Sequence, residues 1–444
     1  MKKLEDYLRR DAERYPEKIA VTCHGQSCTY SKLLERVEER AAQLMASDTP
    51  VKGRLLLFRA SQTIDFLVEY FAIHWVDAVA VPVEKDLPDA SFRQLRQELA
   101  SYDRMLEGTA DVLFTTGTTG KSKGVMISHD TILADAENLI EAQGYHHDLT
   151  FIINGPLNHI GSLSKVYPVI MQGASLHILE GMKDLNAFFQ VMAHSYGPVG
   201  TFLVPASIRM LLAFAEERLA RMAEKIEFIE TGAAPIALAD MQRLCHVLPH
   251  ARLFNTYAST ETGIIATHDF NHDGCVAGCL GRPMRHSSLE IDEGGRIACS
   301  GRTLMMGYLG NQALTRSVLH EGKLLTSDLG HLDDEGRLHL TGRIGDVINV
   351  GGYKVIPTEV ENAALAIPGI KDCVCIAAQH RVLGTVLKLL VVLYEGYEWN
   401  KRSLAKQLSE KMEAYKVPML YEQVDVIKRT FNHKIDRKAY LQSE

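Results

Sequence analysis

Residues 115 to 124 read Thr115-Thr116-Gly117-Thr118-Thr119-Gly120-Lys121-Ser122-Lys123-Gly124, and the reading of the whole chain turns on them. The ten positions hold four Thr, one Ser and two Lys and no acidic group. Glycine lets a backbone take positive φ and come close to a ligand, and successive N–H groups with neighbouring hydroxyls form a nest for anionic oxygens. This is the composition of a phosphate loop. It is not the Walker pattern, which needs four residues between its first Gly and a Gly-Lys-Ser/Thr triplet, because here Lys123 precedes a glycine. Asp111-Val112-Leu113-Phe114 has the character of a short buried strand and Val125-Met126-Ile127 resumes it, so the pattern predicts a loop between two extended segments. Taken alone, such a run is a flexible surface turn more often than a nucleotide site.

The 444 residues exceed the size at which one hydrophobic core keeps growing, so two or three domains are expected. Hydrophobic residues at 46% and charged residues at 23% are those of an ordinary globular chain and argue against a disordered or fibrous one. A formal charge of −7, without long Lys/Arg blocks, gives no reason to expect nucleic-acid binding. The N-terminus is basic but lacks an apolar signal core, and Phe66 to Val83, the most apolar long window, is interrupted by Glu69, His74 and Asp77. The expectation is a cytoplasmic protein with no membrane partner. Eight cysteines lack the paired spacing of a zinc site and several lie in strand-like runs, so free buried thiols are expected.

The stretch Thr115–Gly124 resembles the signature of the adenylate-forming superfamily, which holds acyl-CoA and aryl-CoA synthetases, nonribosomal peptide adenylation domains and luciferases. The rest of the chain is similar in order. A helix at 4–15, a strand at Ile19–Cys23 and a helix capped by Ser31 lead into strands at Leu55–Phe58 and Ala78–Pro82 alternating with helices, the mark of βαβ units. Between Pro82 and Thr115 the chain is shorter than the family pattern. Helices are also expected over Asp130–Glu141 and Ile208–Arg221, the second following the strand that ends at Pro205. His159, in Asn158-His159-Ile160-Gly161, sits where the family places a substrate-side residue near the reacting carboxylate; no acid stands there to pair with an α-ammonium, which disfavours an amino acid. Gly232-Ala233-Ala234-Pro235 matches a small-residue turn used against adenine, and is equally a strand-to-helix turn with Pro at the helix start. In Asn255-Thr256-Tyr257-Ala258-Ser259-Thr260-Glu261, the resemblance gives adenine stacking to Tyr257, a phosphate contact to Thr260 and Mg²⁺ to Glu261, a hard ion suited to carboxylate and phosphate oxygen.

Turn signals after Gly278 suggest a barrel-like stretch of hairpins, carrying Thr326-Ser327-Asp328-Leu329-Gly330. A carboxylate offers the two acceptor oxygens that a vicinal diol needs, and the resemblance assigns the ribose to Asp328 with Arg343. Gly345 stands at the hinge, where relatives carry Asp or Lys. The resemblance implies that rotation would present the Gly351-Gly352-Tyr353-Lys354 loop to an incoming thiol, and Lys434 matches the terminal catalytic lysine, with His433 replacing the usual Gly.

The expected fold is therefore α/β: residues 1–344 as a large domain of βαβ-type sheets with a β-barrel-like subdomain, and 345–444 as a small mobile α+β domain. The resemblance implies that ATP, with its triphosphate on Thr115, Thr116, Gly117, Thr118, Thr119, Gly120 and Lys123, activates an aryl or acyl carboxylic acid for transfer to CoA. The thiol of a carrier protein is the alternative acceptor, and a homodimer is left open. A non-catalytic nucleotide-binding protein and a luciferase-like oxygenase fit less well.

Overall fold

The computed structural model describes residues 2–47, 50–102, 106–116, 122–381, 383–429 and 435–441. Gly117, Thr118, Thr119, Gly120 and Lys434 lie outside the described residues, as does the side chain of Thr116.

The expected extended segments on either side of the glycine-rich stretch are strands Thr109–Thr116 and Ser122–Ser128. They pair antiparallel, with Thr115 opposite Lys123 and Thr116 opposite Ser122, and Val112, Leu113, Val125 and Ile127 go into the core. Leu55–Ala60 and Val79–Glu84 add parallel strands on one side and Gly307–Tyr308 closes the other edge, giving a five-stranded sheet. The short span after Glu84 is filled, among the described residues, by one helix, Asp89–Ala100.

The second sheet changes character along its width. Ile19–Cys23, Ser175–Ile178, Thr150–Ile153, Val199–Phe202, Ile226–Thr231 and Arg252–Ser259 lie side by side in parallel, as aliphatic runs separated by helices require. From Arg252–Ser259 onward every added strand is antiparallel: Gly263–Asp269, Cys279–Pro283, Leu338–Arg343, Lys323–Leu332, Arg296–Gly301 and Ser287–Ile291. This hairpin half curls back on itself, and Ser287 Oγ donates to Ile264 O at 3.3 Å. The last hundred residues have cores of their own. A hairpin, Ile348–Val350 with Tyr353–Val355, and the sheet Ile370–His380, Gly384–Leu393 and Leu420–Gln423 pack with helices Pro357–Leu365 and Lys401–Ser409 around Val360, Cys373, Cys375, Leu389 and Leu408.

Local chemistry moved three boundaries. Thr29, not Ser31, caps the second helix: its backbone is extended and its Oγ1 accepts from Lys32 N at 3.2 Å, while Ser31 lies inside the first turn. The helix expected through Arg221 breaks at Ala215, whose φ of −146° leaves helices Pro205–Phe214 and Glu216–Arg221. Pro235 is not at a helix start, since the next helix begins at Leu238. All eight cysteines are free thiols, six of them buried, and burial is the first cause that raises their thiols, as at Cys23 and Cys299. No helix among the described residues is long and apolar enough to cross a membrane.

Asp135, on the helix His129–Gln143, is the one buried acid of this core whose shift is large and well placed for a test. Its Oδ1 accepts from Ile264 N at 2.8 Å, its Oδ2 has no partner, and burial pushes its carboxyl up to about 7 against the opposing pull of that N–H and of the Lys165 charge. Between about pH 4 and about pH 7 the folded chain therefore holds a proton that the unfolded chain has released, and this contribution to stability falls as pH rises. Asp135→Asn keeps the acceptor and cannot ionise. We expect its urea midpoint to gain on the parent's as pH is raised from about 5 to about 8; parallel curves would refute the assignment.

Candidate active site

Asp328 and Arg343 face each other across the hairpin formed by Lys323–Leu332 and Leu338–Arg343. Arg343 Nε donates to Asp328 Oδ1 at 2.6 Å and the Tyr257 hydroxyl donates to Oδ2 at 2.9 Å. Thr326 Oγ1 accepts from Asp328 N at 3.1 Å and sets the carboxylate's direction. Burial first, then the Asp328 charge, pushes the Tyr257 phenol well above its ordinary value, so it stays a donor. A carboxylate has about four lone-pair positions, and two are used here, which leaves acceptor capacity for a diol. Asn255, two residues before Tyr257, spends its amide on the Cys279 carbonyl at 2.8 Å and acts as a tie between strands.

Strand Arg252–Ser259 ends in a turn locked by reciprocal bonds: Ser259 N donates to Thr262 Oγ1 and Thr262 N to Ser259 Oγ, both at 3.0 Å. Thr260 and Glu261 occupy its tip. Glu261 Oε1 accepts from the Tyr308 hydroxyl at 3.1 Å, and Lys123 Nζ lies 5.3 Å from the centre of the Tyr308 ring. Tyr308 thus joins the end of the glycine-rich stretch to the acid. Its segment is strapped on both sides, because Met305 N donates to Glu261 O at 2.9 Å, and Met306 N and Leu309 N donate at 2.8 Å to Met126 O and Gly124 O. A carboxylate at a polar turn close to Lys123 has the donor chemistry that Mg²⁺ takes. Lys123 and Glu261 were legible in the sequence; nothing in it singled out Tyr308.

The two small-residue segments expected near the acid lie on either side of one aromatic ring. His159 precedes helix Ile160–Gln172 at its N-cap, half-buried, and Gly232 follows strand Ile226–Thr231. The Phe202 ring lies between them: a Cβ on Gly161 would stand 3.7 Å from it, and one on Gly232 would stand 3.6 Å from it. The same Cβ on Gly232 would come within 2.9 Å of Thr256 O, so this position requires glycine. Ala233 holds φ at +66°, a left-handed conformation that costs a side-chain-bearing residue on the order of 1 kcal/mol or more. Behind this wall Lys165 Nζ pairs with both oxygens of Glu230, at 2.8 and 2.7 Å, with each side chain 1% exposed. No local pattern marks that pair, since the partners are 65 positions apart.

In the last hundred residues Gly351 and Gly352, with φ of +57° and +93°, make the two-residue turn between Val350 and Tyr353. Tyr353 is exposed and stacks on Tyr415 at 4.6 Å, and Lys354 is exposed beside it. A bridge between Arg429 and Ile435 brings together the two ends that flank Lys434. Arg429 pairs with Asp372 at 2.7 Å and Arg437 with the buried Glu361 at 2.6 Å, so both flanks are fixed to the small domain's sheet and helix.

Two family models match this chain: the AMP-binding enzyme model over residues 8–101 and 104–309, and the AMP-binding enzyme C-terminal domain model over 359–434. The chain belongs to the AMP-binding enzyme family. Among relatives of this AMP-binding enzyme, indoleacetate–CoA ligase of Aromatoleum aromaticum is 26% identical, with 97% of this chain and 96% of that protein covered. A 2-succinylbenzoate–CoA ligase of Arabidopsis thaliana is 30% identical over 69% of this chain and 60% of its own length. The fold matches ATP-bound MatB from Rhodopseudomonas palustris with a TM-score of 0.86 at 22% identity, covering 99% and 98% of the two chains. MenE from Bacillus subtilis, in complex with the acyl-adenylate OSB-AMP, matches at 0.85 and 22% over 99% and 98%.

The Lys165–Glu230 pair sets a stability test for this AMP-binding enzyme. Removing one partner leaves the other charge buried and unpaired, which costs about 3–5 kcal/mol, while replacing both by apolar groups is near neutral. We expect Lys165→Met to lose that much in denaturant unfolding and Lys165→Met/Glu230→Leu to recover most of it. Additive losses in the double variant would show that the two charges do not depend on each other.

Proposed function

We propose that this enzyme joins a carboxylic acid to ATP, giving an acyl-adenylate and pyrophosphate, and then passes the acyl group to the thiol of CoA. In the first step a carboxylate oxygen bonds to the α-phosphorus and the bond from that phosphorus to pyrophosphate breaks. In the second, the thiol sulfur bonds to the acyl carbon, AMP leaves, and the thiol proton goes to solvent. The observation that carries the proposal is the run of contacts from Lys123 through Tyr308 to Glu261, continued along one strand through Tyr257 to Asp328 and Arg343. It gathers a cation for phosphate, a carboxylate for a divalent ion and an oriented carboxylate for a diol, the requirements of one nucleotide.

Joining two anions leaves the protein mainly charge neutralisation and in-line positioning to supply. In this reading the triphosphate rests on Thr115, Thr116, Gly117, Thr118, Thr119, Gly120 and Lys123, with Thr260 beside it. Mg²⁺ on Glu261 supplies further neutralisation of phosphate charge. Asp328 and Arg343 hold the ribose, the Gly232–Pro235 turn and Tyr257 border the base, and His159 stands at the acid. Residues 1–344 form the nucleotide-binding domain and 345–444 a mobile one that turns about Gly345, where a Cβ would meet nothing within 4 Å. The turn exchanges Lys434, used for adenylation, for the Gly351-Gly352-Tyr353-Lys354 hairpin, used for thioester formation. An aryl or acyl acid is supported by the Phe202 wall and by relatives whose names carry indoleacetate and 2-succinylbenzoate. Likeness at 24% identity to surfactin synthase subunit 2, of which the chain spans 14%, favours a carrier-bound thiol as the second reading.

The test separates the two half-reactions. With the acid that turns over fastest in a panel of aryl, acyl and amino acids, Lys434→Ala should slow pyrophosphate release about a hundred- to a thousandfold. Thioester formation from synthetic acyl-adenylate and CoA should stay within a few-fold of the parent's. Equal loss of both steps would contradict the role of Lys434, and turnover with a carrier protein but not with free CoA would establish the second reading.

A further inference from the structure

Behind the glycine-rich hairpin three helices meet, and each brings one metal-ligating side chain to the same point: Glu5 from Leu4–Arg14, His74 from Ile64–Trp75 and His129 from His129–Gln143. One donor atom from each lies within 4.8 Å of the other two. The three residues are 4%, 0% and 8% exposed. Neither Glu5 oxygen has a hydrogen-bond partner, nor does His74 Nδ1, although Glu5 Oε1 and His74 Nδ1 approach to 3.4 Å. A carboxylate buried without a donor on either oxygen is expensive, and the arrangement is that of a group whose positive partner completes it.

The other side of the His74 ring is already committed. Its Nε2 lies 2.8 Å from Asp111 Oδ1, and Asp111 Oδ2 accepts from the Tyr70 hydroxyl at 2.8 Å. An imidazole whose far nitrogen donates to a carboxylate presents its remaining lone pair in a fixed direction, as histidines on metal ions do. Here that direction is toward Glu5. We propose that Glu5 Oε, His74 Nδ1 and a ring nitrogen of His129 form a binding site for one divalent transition-metal ion of the zinc class, with Asp111 as the residue that positions His74. Two imidazoles and one carboxylate suit zinc and its neighbours, whereas Mg²⁺ and Ca²⁺ take oxygen ligands. Ligand bonds of about 2.0–2.2 Å need donor atoms roughly 3.3 Å apart, so the three side chains draw inward on binding, with water at the fourth position.

The placement gives the ion a mechanical task. Asp111 lies on the strand that leads into Thr115 and Thr116, and His129 opens the helix directly after Ser122–Ser128. One ion would therefore fix both ends of the hairpin, and with them the glycine-rich stretch at its tip, to the N-terminal helix. The site is distinct from the carboxylate Glu261, and its occupancy is readable without turnover.

The whole chain, expressed in zinc-supplemented medium and dialysed against metal-free buffer, should retain about one zinc per molecule and compete for it with a chromophoric chelator. Replacement by Co²⁺ should give visible ligand-field bands. Glu5→Gln and His129→Asn should each abolish retention while keeping a folded circular-dichroism spectrum, and Asp111→Asn should weaken zinc about 10- to 100-fold. Where a variant does not fold, the Co²⁺ spectrum of the parent decides. Absence of bound zinc, of chelator competition and of Co²⁺ bands would overturn the proposal in favour of a doubly protonated His74 between Glu5 and Asp111. Unchanged stoichiometry in folded Glu5→Gln and His129→Asn would overturn the ligand assignment.

Discussion

The Asp328 carboxylate, held by the Tyr257 hydroxyl at 2.9 Å and the Arg343 guanidinium at 2.6 Å, is the interaction on which the geometry of the site depends. Tyr257 comes from the strand where the large sheet passes from parallel to antiparallel, and Asp328 and Arg343 come from the hairpin half beyond it. One carboxylate therefore couples two regions of different architecture. It also stands close to the proposed hinge: two residues separate Arg343 from Asp346, which Arg437 approaches at 3.5 Å. The Arg343–Asp328 pair sets a half-exposed arginine on a buried acid, a charge-assisted contact that fixes the direction of the carboxylate.

The opposite wall is rigid for different reasons. Lys165 and Glu230 neutralise each other in the interior and lock the helix after His159 to the strand before Gly232. Phe202 fills the space between Gly161 and Gly232, and the next residue, Ala233, holds a strained left-handed φ. Such strain persists where the surrounding structure over-determines the backbone, and a substrate pocket benefits from a wall that does not relax. Tyr308 does the corresponding work on the phosphate side, since one ring touches the Lys123 ammonium and its hydroxyl binds Glu261.

What the sequence made legible was local. The hairpin around the glycine-rich stretch, the parallel strands, the Thr260-Glu261 turn and the pairing of Asp328 with Arg343 all follow from short patterns whose partners are near in the chain or fixed by the family resemblance. Lys165–Glu230, Tyr308 and Glu5–His74–Asp111 were not legible, because their meaning comes from partners 37 to 65 residues apart or on separate helices, and no spacing rule connects them. The resemblance also counts Asn255 among the nucleotide-binding residues, and in the structure its amide donates to the Cys279 carbonyl. The helix cap went to Thr29 instead of Ser31 because backbone direction, not residue type, decides between two adjacent hydroxyls.

The proposed ribose clamp can be measured directly by calorimetric titration with ATP and with 2′,3′-dideoxy-ATP, each with magnesium. Two diol hydroxyls on a carboxylate acceptor correspond to a preference for ATP of about tenfold or more in the parent chain. In Asp328→Ala that preference should collapse toward unity, since any general loss of affinity cancels in the ratio. A preference of the same size in parent and variant would contradict the assignment of Asp328 to the nucleotide and, with it, the proposed site.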